Sequence, residues 1–191
     1  MSIVELFRKE LTLEESIQKS RELADLVKQT YTPDFIVAIA SGGILPAKEV
    51  SKRLERSYGE IVIRRDIDLR ETYNSTPNIL KPFVKLYQGY LFMSTQPTIL
   101  QEGDFTCQGR KILLVDDMVH TGKTIQIAKD NLFERGAKEV KSAAINYVNG
   151  ALPDYFLMKG RIKFPWSKNS ADYKRFESYV GESSVYQHQF S

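Results

Sequence analysis

Residues 112–124 read ILLVDDMVHTGKT, and the fold is decided in this stretch. The run Ile112-Leu113-Leu114-Val115 is too short for a helix and holds no polar residue, as expected of a strand buried on both faces of a parallel sheet. Asp116 and Asp117 stand at its carboxyl end. Thr121-Gly122-Lys123-Thr124 then brings hydroxyls, a compact glycine and successive backbone N–H groups to the point where Ile125-Gln126-Ile127-Ala128 begins a helical pattern. A helix N-terminus with free N–H groups is a ready anion site.

Outward from this stretch, strands and helices alternate. Thr12 and Glu15 form a capping box that opens an amphipathic helix with the apolar stripe Ile17, Leu23, Leu26 and Val27. The strand FIVAIA over residues 35–40 follows Pro33 and leads into Ser41-Gly42-Gly43. Pro46 stands in the first turn of a second helix running to about Leu54, and Ile61-Val62-Ile63 is a further strand. Residues 66–108 are mixed in character, residues 140–148 predict another strand, and residues 171–179 suit a helix. This β-α-β alternation predicts an α/β fold with a doubly wound, mostly parallel sheet and ligands at the carboxyl ends of the strands.

Two adjacent acids ahead of a phosphate-friendly turn suit a sugar phosphate. Carboxylates accept hydrogen bonds from vicinal hydroxyls, and N–H groups donate to phosphate oxygens. A nucleoside triphosphate loop is excluded because the residue five before Gly122 is Asp117 rather than glycine. The blander alternative is a turn with a helix cap. The stretch resembles the phosphoribosyl pyrophosphate motif of the type I phosphoribosyltransferases. The resemblance implies that Asp116 and Asp117 hold the ribose hydroxyls. It assigns the 5-phosphate to Val119, His120, Thr121, Gly122, Lys123 and Thr124. Ala40, Ser41, Gly42 and Gly43, placed between a strand and a helix, resemble the pyrophosphate loop of the same family.

The resemblance also implies a flexible flap over residues 66–108, within a single phosphoribosyltransferase domain with its core at about 33–150 and a C-terminal hood over 150–191. Such a flap would exclude water from an electron-poor ribosyl centre. Arg64, Arg65 and Arg70 precede or open this segment and suit pyrophosphate, or else are solvated charges or subunit contacts. Tyr87 and Tyr90, with Phe83 and Phe92, suit strand and core positions better than base stacking.

The segments Pro153-Asp154-Tyr155 and Phe164-Pro165-Trp166 resemble the purine branch, in particular its xanthine-, guanine- and hypoxanthine-using enzymes. Four base-pocket positions depart from that pattern. His120 replaces an acid that exchanges a proton with the base, and Asn146, or Tyr147 with one gap, replaces a lysine aimed at the oxo group. Arg161 falls near a stacking aromatic, followed by Ile162, and Ser167 replaces an acid that helps hold metal. An asparagine amide accepts from an exocyclic amine and donates to the neighbouring ring nitrogen, which suits adenine. Because an imidazole can exchange a proton near neutral pH, His120, with Asp117, is a candidate catalytic residue. The resemblance thus implies a purine phosphoribosyltransferase with adenine preferred. Mg²⁺ would be held mainly by phosphoribosyl pyrophosphate and water, with no direct protein ligand assigned. Nucleoside monophosphate and pyrophosphate would be the products, and the enzyme a homodimer by analogy. The alternatives are a 6-oxopurine enzyme with a rebuilt pocket and a regulator that keeps the phosphoribosyl pyrophosphate site without chemistry.

Composition agrees with these expectations. At 191 residues, 42% of them hydrophobic, the chain can bury one sizeable core. A net charge of +3 does not demand nucleic acid, and no apolar run is long enough for a membrane span. The lone Cys107 excludes an internal disulfide and a cysteine-based zinc site. Met1-Ser2-Ile3-Val4-Glu5 lacks the basic start and apolar core of a signal peptide, so a soluble cytoplasmic protein is expected. The tail Tyr186-Gln187-His188-Gln189 suggests no chemistry.

Overall fold

The runs FIVAIA and ILLV have no polar face to turn toward water, and they lie side by side in the middle of a sheet covered on both faces. The computed structural model describes residues 9–65 and 70–181. In chain order these form β1 (Lys9–Glu10), α1 (Leu13–Lys28), β2 (Phe35–Ala40), α2 (Ile44–Leu54), β3 (Tyr58–Arg64), α3 (Arg70–Ser75), α4 (Lys81–Ser94), β4 (Thr98–Glu102), β5 (Lys111–Val119), α5 (Lys123–Glu134), β6 (Glu139–Tyr147), β7 (Tyr155–Lys159), β8 (Ile162–Lys163) and α6 (Tyr173–Val180). Six strands make the main sheet in the order β4-β3-β2-β5-β6-β7. Its neighbours run parallel except for β4, which pairs antiparallel with β3. Strands β1 and β8 form a separate parallel pair.

Local signals and packing agree at α1. The Thr12 hydroxyl accepts from Glu15 N and the Glu15 carboxylate accepts from Thr12 N, so two otherwise orphaned donors at the helix start are satisfied. Leu23 and Val27 are then fully buried against Val50 of α2 and Ile36, Val115 and Ile145 of the sheet. The opposite sheet face, with Val37, Ile112 and Leu114, packs on Ile125, Ala128 and Leu132 of α5. A third cluster closes the end of the molecule with Phe176 and Val180 of α6 against Ile44 and Leu45.

Chain direction across the sheet reverses at β2. The connection through α2 carries the chain to β3 on one side, and β5 inserts on the other. The gap beyond the carboxyl ends of β2 and β5 is therefore a topological switch point, where sheets of this kind take ligands.

Two expectations are corrected. Strand β5 does not end at Val115: it runs to Val119, because β6 continues beside it and Met118 and Val119 pair with Asn146 and Tyr147. Asp116 and Asp117 therefore lie within the strand. The middle segment includes helices α3 and α4, and Phe83, Tyr87 and Tyr90 are neither strand nor core but exposed on α4. The side chains of Arg70 and Phe92 and the tail over 182–191 lie outside the described residues, as does the N-terminal segment 1–8. No described helix is long and apolar enough to cross a membrane.

Candidate active site at the sheet's switch point

A cavity of about 260 Å³ opens beyond β2 and β5. The 40–43 loop contributes Ala40 and Gly42 to its wall, the end of β3 contributes Arg64 and Arg65, and β5 contributes Asp116 and Asp117. The turn into α5 adds Val119, His120, Thr121, Gly122 and Thr124. The carboxyl ends of three strands, β2, β3 and β5, thus bring one acidic pair, two arginines and a helix N-terminus to a single opening.

The 40–43 loop approaches β5 so closely that only glycine fits. A Cβ on Gly42 would stand 2.5 Å from the Asp117 Oδ2, and one on Gly43 would stand 2.5 Å from the Val115 carbonyl oxygen. The Ala40–Ser41 peptide is cis. On the other side, Gly122 caps α5 with φ of 78°, a left-handed conformation that glycine adopts without a Cβ clash. A side chain there would also meet the Ala151 Cβ at 2.6 Å. The N-terminus of α5 follows immediately, with its free N–H groups and positive dipole end beside the cavity.

The acids are held firmly. Asp116 is buried, and its Oδ1 accepts from Asp117 N at 2.8 Å. Asp117 Oδ2 accepts from the indole Nε1 of Trp166 at 2.6 Å. Trp166 is itself fixed by stacking on Phe164 at 4.6 Å between ring centroids and by tilting against Phe176. Burial, reinforced by the neighbouring Asp117 charge, raises the Asp116 carboxyl well above the usual carboxylate range. Burial raises Asp117 too, opposed by the hydrogen bond from Trp166. Across the cavity, the Arg65 Nη2 donates to the Thr121 Oγ1 at 3.4 Å, tying the end of β3 to the turn before α5. Burial lowers the pKa of the Arg65 guanidinium from its ordinary value.

The remaining expected residues lie elsewhere. Ser41, Gly43 and Lys123 flank the cavity without lining it, and the Lys123 Nζ donates to the Ser94 carbonyl oxygen at the end of α4, 3.5 Å away. None of Asn146, Tyr147, Arg161 and Ile162 lines it. Asn146 is fully buried next to Met118, which does line it, and its Nδ2 donates to the Gly160 carbonyl oxygen at 2.7 Å. The Tyr147 hydroxyl donates to the Gly150 carbonyl oxygen, Arg161 is exposed, and Ile162 is buried in the core beside β1. Asp154 accepts from the Ser142 backbone N–H and hydroxyl and from the Lys129 ammonium, so it pins β7 to β6 and α5.

Sequence reasoning missed Trp166 as the partner of Asp117 and Pro97 as part of the cavity wall. Pro97 arrives there because β4 returns antiparallel along β3, a pairing that no short-range pattern announces.

Comparison with known proteins agrees with this geometry. Residues 9–153 match the phosphoribosyl transferase domain family. The chain is 30% identical over 101 residues to the bifunctional protein PyrR of Citrifermentans bemidjiense, a match over 53% of this chain and 50% of that protein. It thus spans about half the length of that relative. It is 25% identical over 148 residues to the hypoxanthine-guanine phosphoribosyltransferase of Lactococcus lactis, over 74% of this chain and 70% of the relative. The crystal structure of a purine phosphoribosyltransferase from Pyrococcus horikoshii superposes with a TM-score of 0.65 at 23% identity, covering 84% of this chain and 95% of that one. With a switch-point cavity lined by paired acids and the turn into α5, and a family match over most of its length, the chain belongs to the phosphoribosyl transferase domain family.

Proposed function

We propose that this protein transfers the phosphoribosyl group of phosphoribosyl pyrophosphate to a purine base, with adenine preferred, releasing pyrophosphate and a nucleoside monophosphate. The observation that carries this reading is that one cavity is lined both by paired carboxylates and by the turn that opens α5. Asp116 and Asp117 supply acceptors for vicinal ribose hydroxyls. The turn over 121–124, with the hydroxyls of Thr121 and Thr124 and the N-terminus of α5, supplies donors for the 5-phosphate. Ala40 and Gly42 of the 40–43 loop, with Arg64 and Arg65, also line the cavity and are assigned here to the pyrophosphate.

In the proposed reaction the purine's imidazole nitrogen forms a bond to the anomeric carbon as the bond from that carbon to the pyrophosphate oxygen breaks. His120, on the cavity wall, takes the proton that the base loses. The protein's contribution is alignment of the two reactants and stabilisation of the departing charge. Among the described residues no group of three or more His, Cys, Asp or Glu side chains forms a metal cage. A Mg²⁺ that travels with the pyrophosphate, bound by its oxygens and water, fits this donor set and supplies countercharge to the leaving group. Residues 66–108 serve as the flap and 150–191 as the hood on the base side of a single domain, and the protein acts as a cytoplasmic homodimer.

The preference for adenine rests on Asn146. A carbonyl oxygen only accepts, so the bond to Gly160 takes the Nδ2 end of the amide, and Oδ1, buried behind the cavity wall beside Met118, has no hydrogen-bond partner. A buried acceptor suits the exocyclic amine of adenine and opposes the oxo group of hypoxanthine or guanine. The second reading is a 6-oxopurine enzyme, as the name of the Lactococcus lactis relative suggests. The test is to incubate the full chain with phosphoribosyl pyrophosphate, Mg²⁺ and each of adenine, hypoxanthine, guanine and xanthine, and to follow monophosphate formation. Adenine should react fastest. Faster use of an oxopurine would favour the second reading, and binding of phosphoribosyl pyrophosphate without product from any base would make the protein a non-catalytic binder.

A further inference from the structure

The turn into α5 leans on a second turn, residues 148–151, which carries the one Asn-Gly pair in the sequence, Asn149-Gly150. A Cβ on Gly150 would stand 2.7 Å from the Thr121 carbonyl oxygen, and one on Gly122 would stand 2.6 Å from the Ala151 Cβ. The two turns are therefore in close contact. The second also has no slack, because Val148 N donates to the Val119 carbonyl oxygen at 2.9 Å and the Gly150 carbonyl oxygen accepts from the Tyr147 hydroxyl at 2.9 Å. With φ of 80° and Thr121 against it, position 150 takes glycine and nothing larger.

We propose that Asn149 is a site of spontaneous deamidation, and that its conversion disables the adjoining turn over 121–124, so that the protein carries a chemical limit on its own working life. Asn149 and Gly150 are both exposed. Among the described residues the Asn149 amide makes no hydrogen bond and the Gly150 N–H has no acceptor, so neither reacting group is held away from the other. Asparagine is thermolabile, and a following glycine has no Cβ to shield its nitrogen. That nitrogen gives its proton to solvent and bonds to the Asn149 Cγ; the bond from Cγ to Nδ2 breaks, and Nδ2 takes up a proton and leaves as ammonia. Water then opens the cyclic imide at Cγ, giving aspartate, or at the main-chain carbonyl, giving isoaspartate. Either product lowers the net charge of +3 by one and sets a carboxylate close to the 121–124 turn, where it repels a phosphate. Isoaspartate also routes the main chain through Cβ and Cγ, one bond longer. Because hydrogen bonds fix the segment on both sides of Asn149, the added length displaces Gly150 and Ala151 against Thr121 and Gly122.

The loss of phosphate affinity rests on the proposed reading of this turn, whereas the reaction at Asn149 and the displacement do not, and the test reads them separately. The full chain is aged in mildly alkaline buffer beside an unstructured Asn-Gly peptide and then mapped by proteolysis and mass spectrometry. Aspartate and isoaspartate should accumulate at Asn149, while Asn74 and Asn169, each followed by serine, keep their amides. In the isoaspartyl fraction, separated by ion exchange, the amides of 121–124 should exchange hydrogen faster than in fresh protein. That fraction should also bind phosphoribosyl pyrophosphate roughly tenfold more weakly. Asn149→Gln, whose longer side chain closes the ring far more slowly, should fold normally and keep its affinity through the same ageing. Asn149→Asp, which adds the charge with the backbone intact, should lose less affinity than the isoaspartyl fraction. An intact Asn149 after the peptide has reacted overturns the proposal, as does unchanged exchange at 121–124 or an Asn149→Gln that ages like wild type. Fresh protein that fails to bind phosphoribosyl pyrophosphate overturns the reading of the site instead, and the mapping and exchange results then decide the proposal alone.

Discussion

Burial of Asp116 and Asp117 costs stability, a cost that the proposed ribose hydroxyls would offset by donating to them. Two adjacent carboxylates taken out of water repel each other, and the burial that raises Asp116 is a stability deficit. Because the folded pKa lies above the ordinary 3.8, the folded chain retains a proton that the unfolded chain has lost across the interval between the two values. Stability therefore falls as pH rises from 3.8 through the folded pKa, and acidification restores it. Asp116→Asn should accordingly raise the melting temperature at neutral pH, the gain shrinking as pH falls toward 4, while binding of phosphoribosyl pyrophosphate is lost. Calorimetric melting between pH 4 and 8 checks the first statement and isothermal titration the second. Trp166 acts through Asp117. A hydrogen bond to a charged acceptor contributes about 1.5–3 kcal/mol, so Trp166→Phe, which keeps the ring packing but removes the donor, should raise KM for phosphoribosyl pyrophosphate roughly tenfold with a smaller change in kcat. A change confined to melting temperature would show the indole to be packing only.

The elements that carry the site are tied together at a distance from it. Glu49 of α2 is buried and receives hydrogen bonds from Arg21 of α1, Lys52 of α2 and the Tyr179 hydroxyl of α6. Its burial works against ionisation, but the Lys52, Tyr179 and Arg21 donors hold its pKa below the ordinary value, so its contribution is present above 4.5 and fades as pH falls through the folded pKa. Its cationic partners are half exposed, which places Glu49→Ala at the lower end for breaking a buried pair, a loss of about 3 kcal/mol. Denaturant unfolding would measure it, and KM for phosphoribosyl pyrophosphate should not move. Elements like these differ in how much of them the sequence announces. β2, α1 and α5 were readable because period, capping box and apolar run agree within a few residues of each other. The extension of β5 to Val119 was not, since it depends on β6 continuing alongside. Helix α4 is not legible in the same way, because Phe83, Tyr87 and Tyr90 suit strand and core positions, whereas the structure exposes all three on a helix.

At the scale of the whole molecule, the cavity exists because the sheet reverses direction between β2 and β5 and three strands, β2, β3 and β5, end at one opening. The acidic pair and the α5 turn were visible in one continuous stretch of sequence. Pro97 joins the cavity wall and Trp166 reaches Asp117 from distant parts of the chain, and only the antiparallel return of β4 and the packing of Trp166 on Phe164 and Phe176 bring them there. The base side of the proposed site is the least specified, since Arg161 is exposed and Ile162 is buried in the core. The central claim is that this cavity cradles phosphoribosyl pyrophosphate and hands its ribosyl group to a purine. The most direct test is a single turnover of the full chain with Mg²⁺, adenine and phosphoribosyl pyrophosphate labelled in the ribose. The label should pass to adenosine monophosphate with one pyrophosphate released for each nucleotide formed, and Asp117→Asn should abolish both. Label that stays in phosphoribosyl pyrophosphate or emerges as ribose 5-phosphate, with adenine and with every other purine, would contradict the claim.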